Sequence, residues 1–206
     1  MSAERTSCVG GKRGRRGAVS PGEHALLGLL AMAEGRQPAY GYDLARQFGE
    51  GQPLGEVLRL EPGMLYHHLK TLERHGWVAS ATEEQPSRPA RRTFRLTREG
   101  RDELARWLSE PVSHTREIRL EFLLKLYFAG TLDPARRAVL LREQRAVLAA
   151  LAESLRRQRE DAETVGEAPG DDRALRFRVA VLGLRIAQTE AALAWIDGMA
   201  EGLPVR

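Results

Sequence analysis

The stretch between Pro62 and Gly76 restricts the fold of this chain more than any other segment. A proline fits the first position of a helix and a glycine commonly follows the last, so the stretch is predicted to be one helix. Leu65, Leu69 and Leu72 recur at spacings of four and three and therefore form a single apolar stripe. The helix must bury this stripe against neighbouring segments, which leaves its opposite face for solvent or a ligand.

That opposite face is polar and largely basic. Its side chains can donate hydrogen bonds or positive charge to a polyanion, as the recognition helix of a DNA-binding protein does. They are Tyr66, His67, Lys70, Thr71 and Arg74. For Lys70 and Arg74 the alternative is an ordinary solvated face, because Glu73 lies on the same side of the helix.

Two shorter amphipathic helices are predicted before this segment, at 23–34 and 42–48, since apolar residues recur on one side of each and glycines follow. Two short strands are predicted after it, at 77–81 and 91–96, around a polar loop. Thr97 is then expected to cap a further helix, because its hydroxyl can accept a backbone N–H bond.

This order of elements predicts a mainly α protein whose residues 21–112 form a winged helix-turn-helix with a two-stranded β-hairpin wing. In that fold one helix enters the major groove, about 12 Å wide, and the wing follows the DNA backbone. Arginines cluster on the hairpin, which favours phosphate contacts there. The wing residues assigned to DNA are Arg88, Arg91 and Arg92.

Residues 113–206 are predicted to be an all-α dimerisation domain with helices at 116–129, 134–163 and 171–199. Leucines seven residues apart in the second of these helices suit a partner helix. Packing of the three helices on each other is the alternative. A dimer is favoured because two recognition helices about 34 to 36 Å apart match the two half-sites of a palindrome. The residues assigned to the dimer contact are Leu141, Leu148, Leu151, Leu155, Leu182, Ile186, Leu193 and Trp195.

The net charge of +4 is concentrated in residues 1–20, which are rich in Gly, Ser and Arg and are expected to form a flexible basic arm. The arm either clasps DNA or is a terminus without a role. No apolar run approaches the roughly 20 uncharged residues that span a bilayer, and no secretory signal is present. We therefore expect a cytoplasmic protein without a membrane partner, and Cys8 alone allows no internal disulfide.

Candidate catalytic and metal sites are missing from the sequence. His67, His68 and His75 are the histidines closest together, but neighbouring helix residues point in different directions and no carboxylate or thiolate completes a ligand set. Phosphate loops, nucleophile elbows and zinc-protease signatures are absent. The sequence therefore predicts no cofactor, no metal and no enzymatic activity.

Four stretches, taken in order, resemble the PadR-type transcriptional regulators. They read LLGLL at 26–30, GYDL at 41–44, GMLYHHLKTLE followed by GWV at 63–78, and RRTFRLTREG at 91–100. Residues 121–128 and 194–196 resemble the long-tailed branch of the same family. Glu61 and Met64 stand where the family usually has Ser or Thr, so the operator sequence does not carry over.

The resemblance implies a homodimeric regulator, expected to be a repressor, that binds a palindromic operator in double-stranded DNA. It adds Tyr42, Gly63 and Met64 to the DNA contacts and places the Tyr66 phenol against the phosphate backbone. It also implies release by a small aromatic effector. The expected effector pocket lies between the two halves of the chain, although core packing is the alternative for each residue. Its residues are Trp107, Tyr127, Phe128 and Trp195.

A second function is compatible with the same sequence. The winged helix could hold another protein instead of reading DNA, which would make the chain an interaction module. The salt dependence of binding separates the two, because neutralising phosphates makes DNA binding fall steeply with salt.

Overall fold

The computed structural model describes residues 19–36, 38–85, 88–165 and 172–200, and the predicted arm at 1–20 lies almost entirely outside them. The helices are α1 (Pro21–Ala33), α2 (Gly41–Arg46), α3 (Pro53–Val57), α4 (Pro62–Arg74), α5 (Arg98–Ser109), α6 (Thr115–Glu117), α7 (Leu123–Leu132), α8 (Pro134–Val165) and α9 (Asp172–Ala200). The strands are β1 (Ala39–Tyr40), β2 (Val78–Gln85) and β3 (Arg88–Leu96).

Helix α1 begins two residues earlier than predicted because Ser20 and Glu23 form a capping box. The Ser20 hydroxyl accepts from the Glu23 N–H at 3.2 Å, and the Ser20 N–H donates to the Glu23 carboxylate at 2.9 Å. Residues 22–30 are all buried. Helices α4, α5 and α7 pack around α1, which makes it the centre of the first hydrophobic core.

Helix α4 begins and ends where the sequence predicts. Pro62 occupies its first turn, and Gly76 follows it with a φ of 74°, the left-handed conformation that favours glycine. The Glu61 cap makes no side-chain hydrogen bond. Helix α3 was missed because it is a single turn, although Pro53 starts it just as Pro62 starts α4, and its Leu54 is buried.

The wing is longer than predicted, and a third strand joins it. Strands β2 and β3 pair antiparallel from Val78 opposite Leu96 out to residues that were assigned to a loop. These positions carry no alternation of apolar and polar residues, so the period of two that predicts a strand is absent there. The two-residue strand β1 pairs with β3 through Ala39 opposite Phe94, giving the sheet order β1-β3-β2.

The C-terminal half is a helical hairpin preceded by a broken helix. The helix predicted at 116–129 is divided into α6, a π-helical turn at Ile118–Phe122, and α7. Helices α8 and α9 run antiparallel in close contact, and the ion pairs Arg145–Asp197 at 2.6 Å and Arg156–Glu190 at 2.6 Å cross between them.

The hydrophobic interior consists of three clusters. The first contains the leucine stripe of α4 and also Leu124 and Phe128 of α7, so it extends beyond residue 112. The second joins α7, α8 and the end of α9, and the third lies between α8 and α9. The helical half therefore packs against the winged helix as well as on itself.

Burial corrects the predicted dimer contact. Five of its residues are buried inside the chain by α7, α8 and α9, and so are unable to form a seam with a partner helix. They are Leu141, Leu148, Leu155, Leu182 and Ile186. Leu151, Leu193 and Trp195 are partly buried against the same clusters. A leucine repeat alone does not distinguish a partner helix from a neighbouring helix of the same chain.

Helix α9 leaves a second apolar face uncovered. The segment Leu175–Ala200 is long and apolar enough to cross a membrane by those two criteria alone, and 17% of its 18-residue window is buried. The sequence prediction overlooked it because Arg185 and Glu190 interrupt the apolar run. Phe177 is 73% exposed and Leu184 is 60% exposed, with Val181 between them. These three residues form what we call the outer stripe of α9.

Candidate nucleic-acid interface

Helix α4 has the two faces that its sequence predicts. Leu65, Leu69 and Leu72 are almost fully buried in the first core. The opposite face is open: Met64 is 49% exposed, Tyr66 is 51% exposed, and further exposed residues follow along the helix. Those are Gly63, His67, Lys70 and Arg74.

A buried histidine holds α4 against α1. His68 is 9% exposed, and its Nδ1 lies 3.4 Å from the Glu23 carboxylate, which also caps α1. The neighbouring His67 points outward, as adjacent positions of a helix require. Within the described residues no group of three metal-binding side chains is found. From the sequence, His68 is a candidate only for a metal ligand, and its packing role is not predicted.

Positive charge on the outer face of α4 is open to a ligand. Lys70 forms no ion pair with any described residue, and the Arg74 guanidinium donates to the Thr71 hydroxyl at 2.8 Å. Thr71 in turn donates to the His67 carbonyl at 3.1 Å. The two cations are therefore not neutralised by carboxylates of the described chain.

A cleft of about 580 Å³ opens between α2, α4 and the wing. Tyr66 closes over Gly41 so tightly that a Cβ added there would lie 2.7 Å from the phenol. Tyr42 stands at the rim and is 71% exposed. The lining residues are Tyr40, Gly41, Tyr42, Asp43, Tyr66, Arg91 and Arg92. Phenols and guanidinium groups arranged in this way can donate to the phosphate oxygens of a nucleic-acid backbone.

The wing arginines are not equivalent. Arg91 lies over the Tyr40 ring, 5.7 Å from its centroid, and has no ion pair with a described residue. The Tyr40 hydroxyl donates to Glu83 at 3.1 Å, and this hydrogen bond raises the pKa of Tyr40, which keeps the phenol protonated. The side chain of Arg88 lies outside the described part of the chain.

Arg92 has a carboxylate partner within the protein. Its guanidinium is held by the Glu73 carboxylate at 2.8 Å, so its charge is already paired within the protein. The phosphate contact of Arg92 stays a prediction, and the ion pair with Glu73 is a second role for the same side chain. Sequence separation hides this pair, because Glu73 is on α4 and Arg92 is on β3.

The four aromatic residues assigned to an effector pocket are divided between two cores. Trp107 and Phe128 are buried in the first core, with Tyr127 packed beside them. Trp195 is packed in the second core against Phe122. Core packing, the alternative considered from the sequence, describes their placement, and the structure does not bring the four together around one cavity.

A buried polar cluster lies behind these aromatic residues. His24 stacks on Trp107 at 4.5 Å, and its Nε2 lies 3.1 Å from the Glu103 carboxylate. Burial lowers the pKa of His24, although Glu103 opposes the shift. Lys125 is 2% exposed and pairs with Glu121 at 3.3 Å, while burial lowers the pKa of Lys125.

This cluster joins α1, α5, the π-helical turn and α7, because the Trp107 indole N–H donates at 3.0 Å to Glu121, the ion-pair partner of Lys125. The cluster is not among the features predicted from the sequence. The available signal was a polar residue next to or within an apolar run, at His24 directly before ALLGLL and at Lys125 within FLLKLYF.

A second cavity, about 340 Å³, lies where the chain enters the helical half. Leu151 and Leu155 of α8 form its apolar side, while Arg116 and Arg185 stand at its polar side. His114, Thr115 and Gln188 complete the lining. No carboxylate is among these lining residues, so the cavity suits a ligand that has an apolar body and a negative charge.

Two family models match successive parts of the chain. Residues 29–106 match the transcriptional regulator PadR-like family, and residues 118–203 match the family described as virulence activator alpha C-term. A probable transcriptional regulator of Mycobacterium tuberculosis is 31% identical over 190 residues, covering 87% of this chain and 96% of that protein.

One further protein, matched in sequence and in structure, extends the comparison. The negative transcriptional regulator PadR of Bacillus subtilis is 31% identical over 124 residues, covering 59% of this chain and 64% of that protein. Its crystal structure in complex with operator DNA covers 87% of this chain and 96% of that one, with 23% identity and a TM-score of 0.40. Since PadR-like proteins are DNA-binding transcription regulators and not enzymes, the prediction that this chain is not an enzyme is confirmed. The chain belongs to the PadR-like family of transcriptional regulators.

Proposed function

We propose that this protein is a homodimeric, sequence-specific repressor in which α4 of each subunit enters the major groove. The observation that carries the proposal is the exposed polar face of α4, with Lys70 and Arg74 unneutralised by carboxylates and the tyrosine-lined cleft beside it. Residues 21–112 supply the DNA-binding surface, with Leu124 and Phe128 of α7 completing its core, and residues 113–206 supply the dimer contact. In this arrangement Gly63, Met64 and His67 face base edges, and Tyr42, Tyr66 and Arg91 contact phosphates.

The outer stripe of α9 is the proposed dimer contact, in place of the buried leucines. Phe177, Val181 and Leu184 are spaced four and three apart on one side of the helix, opposite the side that packs on α8. Exposed apolar side chains in such a row are typical of a surface that another subunit covers. A dimer of this kind acts in the cytoplasm, where the operator is.

An effector is proposed to bind in the cavity lined by Arg116 and Arg185. That cavity touches the entry to the helical half, α8 and α9, so a ligand there can favour one spacing of the two α4 helices over another. An aromatic carboxylate has the required apolar body and negative charge. The compound p-coumaric acid, present in one crystal structure of B. subtilis PadR, is the first to test.

Selection of bound fragments from the organism's own DNA, followed by footprinting, tests the function. Two protected half-sites about one helical turn apart are expected. Footprints without symmetry, or no protection at low salt, would reject a dimer that reads a palindrome. Adding p-coumarate to the same reactions is expected to remove the protection.

The double variant Lys70→Ala/Arg74→Ala tests the assignment of α4. Log affinity falls with log salt, and each lost phosphate contact makes that slope less steep by about 0.9. The double variant is therefore expected to reduce the steepness by about two for each subunit. The matched control is Arg119→Ala/Arg142→Ala, which removes two exposed arginines away from α4 and is expected to leave the slope unchanged. Shallow salt dependence in the parent protein would instead favour the protein-interaction module.

A further inference from the structure

The end of α4 is tied to the wing by a carboxylate, a hydroxyl and a guanidinium. Arg92 donates from one nitrogen to both oxygens of Glu73, at 2.8 and 3.0 Å, and from its Nε to the Ser80 hydroxyl at 3.0 Å. The Ser80 hydroxyl donates to Glu73 at 2.5 Å. The three side chains come from α4, β2 and β3, so the network joins α4 to both strands of the hairpin.

The surroundings hold this network in place. The Glu73 side chain is 21% exposed, less than half the 55% of Arg92. The guanidinium also lies 5.4 Å from the centroid of Phe94, a core residue of β3. A charged hydrogen bond to a partly buried carboxylate, with an aromatic ring beside it, restricts the rotamers of the arginine.

The network explains an acidic residue that simple electrostatics would disfavour. Glu73 belongs to the helix that faces a polyanion, and an unpaired carboxylate there would repel phosphates. Arg92 neutralises it, and the donors that Arg92 aims at Glu73 and Ser80 are not aimed at DNA. Arg91, one residue earlier, has no ion pair with a described residue and remains open to phosphate.

We propose that Glu73 and Arg92 are a positioning pair that sets the angle between α4 and the wing, so that a carboxylate on the DNA-facing helix strengthens DNA binding. This rests on the proposed function, since it assigns roles to residues of the same interface. Neither residue contacts DNA; each acts through the placement of Tyr66, Lys70 and Arg91.

A positioning role and a purely electrostatic role predict opposite effects of Glu73→Gln on DNA affinity. If Glu73 acted only through its charge, Glu73→Gln would bind DNA more tightly, because a repulsive charge is removed. If it positions the helix, the same variant binds about tenfold more weakly, because the charge-assisted hydrogen bonds that fix the geometry are lost. Arg92→Gln is expected to weaken binding to a similar extent.

The experiment measures the affinity of the full-length protein for its selected DNA fragment between about 50 and 200 mM salt. The variants are Glu73→Gln, Arg92→Gln, their combination, Arg92→Lys, and the matched control Arg91→Gln. We expect both single variants to lower affinity without changing the salt slope, and the combination to be no worse than either alone. Arg91→Gln should reduce the slope by about 0.9 per subunit, the signature of a lost phosphate contact.

Arg92→Lys distinguishes positioning from charge. Lysine keeps the positive charge but lacks the planar fork that bridges Glu73 and Ser80, so affinity is expected to stay low at an unchanged slope. A phosphate contact would tolerate lysine. Circular dichroism and thermal melting identify any variant whose lower affinity comes from unfolding, and Arg92→Lys, which keeps charge and bulk, then provides the decisive comparison.

Three results would overturn the proposal. Equal or tighter binding by Glu73→Gln would show that the carboxylate has no positioning role. A reduced salt slope for Arg92→Gln, with additive effects in the combination, would return Arg92 to the phosphate contacts. If the parent protein binds no duplex at any salt, the proposed function itself fails and the pair has no binding role.

Discussion

Individual residues decide how closely the helices of the interface approach each other. Tyr66 rests directly on Gly41 at the start of α2, and no side chain fits between them. The contact holds a half-exposed phenol at the mouth of the cleft. A single absent Cβ therefore controls the position of a proposed phosphate contact.

Gly41→Ala is expected to displace Tyr66 and to weaken DNA binding several-fold. The added Cβ would meet the phenol at 2.7 Å, but a half-exposed side chain can rotate into solvent. The stability change should therefore stay within about 1 kcal/mol. Fluorescence anisotropy with labelled DNA measures the first effect and urea unfolding the second. Gly130→Ala, where the nearest atom is 3.5 Å away, is the control and should bind normally.

His24 links stability to pH. Burial lowers the pKa of His24 below its ordinary value of 6.5, so the unfolded chain takes up a proton more readily than the folded chain. The contribution of His24 to the free energy of unfolding is therefore expected to be fully present above pH 6.5. It is expected to be lost as the pH drops below that value.

The variant His24→Phe keeps a ring against Trp107 but does not titrate. Urea unfolding at about pH 7.5 and about pH 5.5 should show a smaller loss of stability on acidification for the variant than for the parent. An equal loss in both proteins would contradict the assignment of this pH dependence to His24.

Among the helices, α9 has two apolar sides, and each needs a surface to pack against. Its inner side fills the third core with Leu182 and Ile186, and its outer stripe is left to solvent in a single subunit. A helix that is apolar on opposite sides is normally buried on both. We therefore expect the outer stripe to be covered by the same stripe of a second subunit.

Leu184→Asp is expected to convert the dimer to a folded monomer. The change places a charge in the proposed contact but not in the core, since Leu184 is 60% exposed. Light scattering after size-exclusion chromatography measures the mass, and a monomer, which reads only a half-site, should bind the operator far more weakly. Ala146→Asp, on an exposed position of α8, is the control. A dimeric Leu184→Asp variant with normal affinity would rule out this contact.

At the scale of the whole molecule, the two halves share a core. Leu124 and Phe128 of α7 are fully buried in the first cluster together with Leu26 and Leu65. Phe128 lies so close to Gly28 that a Cβ there would be 2.5 Å from the ring. The winged helix is therefore completed by residues from beyond its predicted boundary at 112.

A fragment of residues 19–112 is expected to be unfolded or barely stable, whereas residues 19–132 should fold. Deleting a buried Phe costs about 3 to 5 kcal/mol and a buried Leu about 2 to 5 kcal/mol, which together match the total stability of many domains. Circular dichroism during urea titration measures the difference. Cooperative unfolding of the shorter fragment with the midpoint of the longer one would contradict the shared core.

Local sequence patterns were sufficient to predict most elements of the winged helix. The limits of α4 follow from Pro62 and Gly76, the cap of α5 from Thr97, and the inward side of each helix from its leucines. These signals act within a few residues, so the chain carries them without reference to its fold. Helix α3 and strand β1 were missed because elements of five and two residues have too few positions for a period.

The buried leucine side and the open polar side of α4 are both predictable from its sequence, because they follow from helical geometry and apolar burial. The contacts of each side chain depend on the packed fold: Arg92 contacts Glu73, His68 contacts Glu23, and the α8 leucines pack within their own chain. Such contacts join residues far apart in sequence. They depend on how completed elements pack, which periodicity within one element does not specify.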